Sequence, residues 1–416
     1  MAAIEVLTTA DGTPLKLSLR RALRRNRLRA LLMVSPLLIF ILVMFLLPIG
    51  DMLLRSVRNP EVIGILPHTV AALKNWDGKE PPPEEAFAAL AADLKAGQRS
   101  KEIGKVGARL NYERSGMSGL FRKSARQAEK LTQGPYKDAV LAIDKEWGNV
   151  AVWRLIQREG RSYTDSYLLA ALDFTHNDEG KIEALSSEQR IHLLLFGRTF
   201  GLSLLITVLT VLLGYPVAYL LANMPARYGN LLMILVLLPF WTSLLVRTTS
   251  WIVLLQTQGV INDVLVWSGI IGDQNRLSMI FNQTGTIIAM THILLPFMIL
   301  PLYSVMKVIP PSYVRAARSL GANPWTAFWK VYVPQTLPGV GAGGVLVFIL
   351  AIGYFITPAL VGGRTGQLIS NRIAFHMQES LNWGLAAAIG AILLVAVLAL
   401  YWLYNRLVGI DNMKLG

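Results

Sequence analysis

From residue 315 to 334 the chain reads Arg-Ala-Ala-Arg-Ser-Leu-Gly-Ala-Asn-Pro-Trp-Thr-Ala-Phe-Trp-Lys-Val-Tyr-Val-Pro, a mixture of cations and large aromatics with no carboxylate, imidazole or thiol. The chemistry such a mixture suggests is recognition, with aromatic rings as anchors and cations as charge. Pro310 and Pro311 stop the apolar run before it, and Ser312 is expected to cap a short helix reaching Leu320. Gly321 suits the left-handed position that ends such a helix. Asn323 then offers an N-cap with Pro324 at the first helical position, restarting a helix through Trp325, Phe328 and Trp329 that should end by Pro334. Two short helices joined by a tight elbow are expected. On physical grounds alone the elbow serves either as a docking knob for a soluble partner or as a hairpin lying on lipid headgroups.

Elsewhere the catalytic inventory is thin. The chain has no cysteine, which removes thiol chemistry, disulfides and thiolate metal sites. There is no Gly-x-x-x-x-Gly-Lys-Ser/Thr phosphate loop, no paired His/Glu metal motif and no Gly-x-Ser-x-Gly elbow. The reading is therefore a chain that is not an enzyme, with no catalytic residue, no metal site and no cofactor. If nucleotide chemistry drives it, another polypeptide supplies that chemistry.

The elements that must position the elbow are apolar. Of 416 residues, 53% are hydrophobic and only 16% charged, the profile of a membrane protein. A bilayer core about 30 Å thick needs roughly 20 apolar residues of helix, because unpaired backbone amides in lipid cost several kcal/mol each. Six runs meet that length, at 30–52, 199–226, 228–256, 278–306, 335–363 and 380–405, and Asp51 and Arg247 are the only formal charges inside them. The net charge of +14 could suggest nucleic acid, but Arg20, Arg21, Arg24, Arg25 and Arg27 abut the first run, where they act as an orientation signal. Nucleic-acid binding is not expected. The first run is long for a signal sequence and lacks a small-x-small cleavage site, so it is read as a retained anchor.

The expected fold is thus an all-α integral membrane protein with six transmembrane helices and both termini cytoplasmic. Its parts are a basic tail (1–29), the first helix (30–52), an extracytoplasmic insert (53–195), a core of helices two to six (196–408) carrying the elbow segment 307–338, and a short tail (409–416). Lys307, Arg315, Arg318 and Lys330 share the elbow segment with no acid, which agrees with an inside location. The insert is charged throughout and holds helical stretches. One follows Pro81-Pro-Pro-Glu-Glu, with Phe87, Leu90, Ala91 and Leu94 on one face. Another carries Trp147, Trp153, Ile156 and Tyr163, aromatics that need a packing partner. The insert is either a cap on the first spans or a docking surface.

Within the membrane, Pro239 interrupts the third run near its middle, and such breaks are tolerated where neighbours or a cavity satisfy the freed backbone. Trp241, Thr242, Tyr354 and Thr357 are the cavity candidates, set against ordinary kinking and aromatic packing. Arg247 either snorkels to the outer interface or lines the outer mouth. His292, in the fourth run, is read as a hydrogen-bonded structural residue in preference to a proton relay. Gly339, Gly341, Gly343 and Gly344 predict close helix packing in the fifth run.

The elbow resembles the cytoplasmic EAA loop of binding-protein-dependent ABC importer permeases, whose pattern is E-A-A, three residues, G, nine residues, I-x-L-P. Ala316 and Ala317 match, Gly321 falls at the required spacing, Val331 and Val333 stand for the aliphatics, and Pro334 closes the motif. Arg315 stands where the family carries glutamate, which removes an acidic contact and leaves the elbow. The resemblance implies that the short helix at 322–330, with Ala322, Asn323, Pro324, Trp325, Phe328 and Trp329, docks on an ATP-hydrolysing subunit. Gly214-Tyr-Pro-Val-Ala-Tyr-Leu-Leu-Ala222, the segment from Leu238 to Thr248, Gly259-Val-Ile-Asn262 and the segment from Gly353 to Gly363 are similar to parts of spermidine/putrescine permeases. The implied partners are an ABC ATPase dimer, a second permease subunit, an extracytoplasmic solute-binding protein and membrane lipid, in a bacterial inner membrane. The implied cargo is a polyamine, with an opine, a phosphonate, thiamine or another small solute as alternatives. An ion-coupled secondary transporter would call for intramembrane acids or an inverted repeat, and neither is visible.

Overall fold

The computed structural model describes residues 15–131 and 133–408. Residues 1–14 of the predicted basic tail and the whole of the tail 409–416 lie outside the described residues. The chain divides at Arg55 into two units. In the first, α1 (Leu15–Ile41) passes through a π turn (Leu42–Leu46) into α2 (Leu47–Arg55). The expected first span lies inside a membrane-compatible stretch, Leu23–Arg55, with no buried residue in its most apolar part. Asp51 pairs with Arg55 one turn on, at 2.9 Å.

The second unit opens with the insert: α3 (Pro60–Ile65), α4 (Pro67–Leu73), α5 (Glu84–Arg99), α6 (Ile103–Asn111), α7 (Met117–Gln127), α8 (Tyr136–Ile143), α9 (Val150–Glu159) and α10 (Ser166–Ala171). A small antiparallel hairpin, β1 (Phe174–His176) with β2 (Ile182–Ala184), follows. The expected helix after the proline run is α5, and Phe87, Leu90, Ala91 and Leu94 are all buried. Phe87 meets Trp153 edge-on at 4.7 Å, and Phe121 meets Trp147 at 5.3 Å. Both indole N–H groups are paired, Trp147 donating to Ser124 Oγ and Trp153 to the Trp147 carbonyl, so the rings are buried with no orphaned donor. Tyr163 departs from the expectation at 63% exposed. Its backbone bridges to Arg58 beyond the end of α9, off the helical stripe that carries Trp153 and Ile156.

A buried polar network holds α3, α6, α9 and α10 together. Arg109 Nη2 lies 2.6 Å from Glu159 Oε2, Asn59 joins both, and Ser166 donates to Glu159 Oε1 at 2.8 Å. The guanidinium also lies 4.4 Å from the Tyr167 ring centre. Burial alone would raise the Glu159 carboxyl, but Arg109, Ser166 and Arg158 outweigh it and hold it below its ordinary value.

The membrane core comprises α11 (His192–Asn223), α12 (Ala226–Leu237), a 3₁₀ turn (Leu238–Trp241), α13 (Leu244–Leu255), α14 (Val260–Trp267), α15 (Gln283–Val308), α16 (Pro311–Ser319), α17 (Pro324–Ala327), a π turn (Phe328–Tyr332), α18 (Val333–Gly353), α19 (Ile356–Val361), α20 (Ile369–Gln378) and α21 (Trp383–Val408). Among the described residues five helices are long and apolar enough to cross a membrane, and a pair bent by 99° makes a sixth candidate. That pair replaces the continuous third helix expected at 228–256. Pro239 has no N–H to continue the ladder, and the Ser243 hydroxyl accepts from the Val246 amide to start a new helix in another direction. The fifth span also shifts, from the expected 335–363 to Pro324–Gly353.

α15 packs between α11 and α18. Met290, Leu294, Met298 and Leu302 are fully buried against Leu202, Ile206 and Val347. A methyl group on Gly343 would stand 2.8 Å from Met298 Sδ, and one on Gly339 would stand 3.3 Å from Leu302 Cα, so the glycines let α18 approach α15. The insert is keyed into this core. The Tyr167 ring lies against Gly384 at the start of α21, and Tyr112 donates to the Ser380 carbonyl at 2.9 Å. Asp173 accepts from the amides of His192 and Leu193 and so caps α11.

Removing one partner of a buried ion pair strands the other, at a cost of about 3–5 kcal/mol. Arg109→Ala is therefore expected to unfold the insert, read as cleavage of residues 56–191 by protease under conditions where the parent chain resists. Because the Glu159 carboxyl is held low in the folded chain, its contribution is complete above its ordinary value and fades as pH falls below roughly 4.5. Protease resistance of the parent insert should decline in that acid range, and Glu159→Gln, which leaves Arg109 with Glu113 as an ion-pair partner, should start from a lower resistance at neutral pH and show a flatter decline.

Candidate functional site

The elbow forms as a sharply defined turn. α16 begins at Pro311 with Pro310 in the N-cap position, so Ser312 lies inside the first turn, and the cap bond expected of it does not form. Gly321 has φ of +92°, its amide bonds to the Arg318 carbonyl, and the Ala322 amide reaches the Ala317 carbonyl at 3.1 Å. This pair of bonds closes the carboxyl end of α16. Asn323 Oδ1 accepts from the Thr326 amide at 2.7 Å, with Pro324 first in α17, as the sequence implied. Pro334, however, does not end the helix. The Val333 amide bonds to the Phe328 carbonyl in a π turn, and that widened turn accommodates the ring of Pro334 and its missing N–H, so α17 runs on into α18.

The aromatics divide into two faces. Trp325 is 71% exposed, Leu320 is 89% exposed, and the Trp325 and Trp329 rings meet edge-on at 5.6 Å. Arg315 and Ala316 are exposed beside them, and Ala317 is half-buried. Phe328, expected on the outward knob, turns inward instead. It stacks on Tyr332 at 5.8 Å and meets Tyr219 at 5.7 Å and Tyr215 at 6.3 Å, both on α11. The Tyr215 and Thr336 hydroxyls lie 3.1 Å apart, tying α11 to α18 above the cluster. The sequence reading passed over Tyr215, Tyr219 and Tyr332. Their i, i+4 spacing, Tyr215 with Tyr219 and Phe328 with Tyr332, was the available signal, since such pairs share a helix face.

The second group of candidates surrounds the helix breaks. Thr242 Oγ1 donates to the Pro239 carbonyl at 2.9 Å, and Trp241 is 72% exposed. Arg247 is half-buried and folds back onto the break. Its Nη2 donates to the Pro239 and Thr242 carbonyls, which the break leaves without the i+4 amide of a continuous helix, the Pro239 oxygen also accepting from the Thr242 amide and hydroxyl. Thr357 is fully buried, its hydroxyl 3.3 Å from that of Thr248, the residue after Arg247. The Tyr354 carbonyl, at the end of α18, accepts from Ser370 Oγ at 2.6 Å. The structure thus brings Thr242 to Arg247 and Thr357 to Thr248 around α13, places Tyr354 at the end of α18, and leaves Trp241 exposed. His292 accepts from Trp251 Nε1 at 3.2 Å, the hydrogen-bonded role expected for it. Asn262, in the Gly259–Asn262 segment, is fully buried and bonds to the Gln256 and Leu277 carbonyls, pinning the loop after α14.

Comparison with known proteins decides what this geometry belongs to. Residues 210–408 match the family described as "Binding-protein-dependent transport system inner membrane component". Over 212 residues the chain is 35% identical to the spermidine/putrescine transport system permease protein PotB of Escherichia coli, covering 50% of this chain and 76% of that protein. The chain belongs to this family. The permease is also 37% identical to PotB of Haemophilus influenzae, covering 73% of that protein, and 31% identical to the inner membrane ABC transporter permease protein YdcU of Escherichia coli, covering 70% of it. Among solved structures, a bacterial alginate ABC transporter in complex with its periplasmic protein aligns over 55% of this chain with a TM-score of 0.45 and 19% identity. The permease is a multi-pass component of a bacterial inner membrane and not an enzyme.

The two faces of the elbow make opposite predictions for stability. Phe328→Ala empties the cluster between α17 and α11 and should destabilise the purified permease by about 2 kcal/mol or more. Trp325→Ala removes an exposed ring and should stay within about 0.5 kcal/mol. Thermal unfolding midpoints in the same detergent check this, and equal losses would mean that both rings are packing residues.

Proposed function

We propose that this permease imports a small organic polycation of the polyamine class, delivered by an extracytoplasmic binding protein, by alternating access driven by a separate ATPase pair. The observation that carries the driven part is the two-faced elbow. An outward aromatic and cationic surface, built from Leu320, Trp325, Trp329, Arg315 and Arg318, is rigidly joined through Phe328 to Tyr215 and Tyr219 on α11. A partner that grips the outer face therefore moves a transmembrane helix. On this reading the elbow and α16 are cytoplasmic, and the insert between α2 and α11 is extracytoplasmic. The amino-acid likeness to the spermidine/putrescine permeases supports the cargo class. So do the neutral oxygens and aromatics at the breaks, which suit alkylammonium groups without a buried carboxylate. A second permease subunit, either a paralogue or a copy of this chain, completes the pathway.

Coupling and cargo are tested separately. A tagged permease extracted in mild detergent should bring down the ATPase. The Gly321→Ala, Trp325→Ala double variant should lose it, with a drop in affinity of about thirtyfold for a central anchor worth roughly 2 kcal/mol. Retention of the ATPase by the double variant would sink the docking role. For the cargo, proteoliposomes holding the full assembly should take up radiolabelled putrescine or spermidine only with ATP and the binding protein. Uptake of a different solute class in their place would remove the polyamine reading and leave the machine intact.

A further inference from the structure

Arg247 is a cation inside a membrane-spanning region, and every hydrogen bond its guanidinium makes among the described residues goes to a neutral oxygen. The acceptors are the Pro239 carbonyl, the Thr242 carbonyl at 3.1 Å and, more loosely, Thr242 Oγ1 at 3.4 Å. An intramembrane charge without a counter-ion is costly, and it persists where it has work to do. These oxygens lie where α12 and its 3₁₀ turn end, the negative pole of that helix, and the break at Pro239 denies them i+4 amide partners, leaving only the Thr242 amide and hydroxyl beside the guanidinium on the Pro239 oxygen. An alkylammonium group asks for the same things: several uncharged oxygens and a negative helix end.

We infer that Arg247 is a tethered stand-in for the cargo, holding the oxygens that a substrate ammonium takes during passage, so that each cargo molecule moves by displacing it. This rests on the polyamine reading above and concerns the same helix break. Two unit positive charges about 5 Å apart at an effective dielectric of about 20 repel by roughly 3 kcal/mol, so the oxygens hold the guanidinium or the ammonium, not both. The long side chain of Arg247 lets the head swing aside and return without rebuilding the helix. Between cargo molecules it satisfies the carbonyls that the break exposes. It also bars other cations from them, so the pathway is closed by a group chemically similar to what it carries.

The sign of one measurement on the unaltered protein decides the matter. In the nanodisc-embedded permease–ATPase complex, the rate of Arg247 modification by phenylglyoxal is followed by mass spectrometry with and without saturating putrescine. Displacement of the guanidinium should raise the rate at least about threefold. A fall or no change would mean that Arg247 keeps its oxygens while cargo binds, and the inference is wrong. Direct binding of radiolabelled putrescine to the same complex, without the binding protein, gives a second reading. Arg247→Met should tighten it by about tenfold if the oxygens are free about one-tenth of the time in the parent, with Arg247→Lys in between. Unchanged or weaker binding in a well-folded Arg247→Met variant would leave Arg247 as a staple across the break. ATP-driven putrescine uptake by the parent assembly separates the two claims. With normal uptake and no rise in modification, the displacement fails alone, and with no uptake of putrescine or spermidine the cargo reading fails and takes this inference with it.

Discussion

The structure of the core follows from one constraint: a backbone N–H or C=O within the bilayer must find a partner inside the protein. Wherever a helix is interrupted, the chain supplies one. At the break after α12 the partners are the Arg247 guanidinium and the Ser243 and Thr242 hydroxyls. At the break after α18, Ser370 and Asn371 donate to the carbonyls of Tyr354 and Phe355. The two π turns obey the same logic. Each ends one residue before its helix resumes with a proline in second place, Pro48 in α2 and Pro334 in α18. The widened turn moves aside the carbonyls that the proline ring would strike, and at Pro334 the helix continues where the sequence predicts a stop.

Satisfied breaks also change what the core can present. A continuous apolar helix offers a cargo nothing but side chains, whereas a broken one exposes backbone oxygens at a fixed depth. A rise of 1.5 Å per residue puts Pro239 roughly 20 Å along from Ala226, past the middle of a core about 30 Å thick. The buried hydroxyl pair of Thr248 and Thr357 links the two interrupted segments, so α13 and α19 share one polar contact in otherwise apolar surroundings. That contact and the Arg247 bonds are discrete and short-range, the kind of interaction that exchanges as a unit when a helix shifts.

Much of this was legible in the amino-acid order, and the parts that were not have a common cause. Gly321, Asn323 and Pro324 specify the elbow because φ preference, capping and proline are local effects of single residues. The apolar face of α5 followed from periodicity, and the close approach of α18 to α15 from a run of glycines. What local reasoning could not supply was direction. Phe328 and Trp325 lie one turn apart and have the same chemistry, yet one packs against α11 and the other faces outward, and only the tertiary path of α11 decides which. The bonds of Arg247 to the break were illegible for the same reason, since a side chain reaching away from a helix break and one folded back onto it have identical sequence surroundings. Pro334 and the third span erred in opposite senses. One proline was absorbed by a π turn and the other turned the chain by 99°, an outcome set by whether a packed neighbour holds the following helix in line.

The contacts at the two ends of α11 give the insert a mechanical meaning. At its amino end Asp173, from the segment after α10, accepts from the first amides of α11, while Tyr167 and Tyr112 fasten the same region to the approach of α21. At its carboxyl end Tyr215 and Tyr219 pack on Phe328 of the elbow helix, and Lys307 donates to the Ala222 carbonyl. α11 has 32 residues, a rod of about 48 Å, and it is gripped at each end by a different rigid body. Close-packed interiors pass on displacement because they compress little. A displacement at the elbow end of α11 is therefore passed to the insert through one helix and two sets of buried contacts. The buried Arg109–Glu159 network holds α3, α6, α9 and α10 together, so the insert follows that end of the helix as one piece.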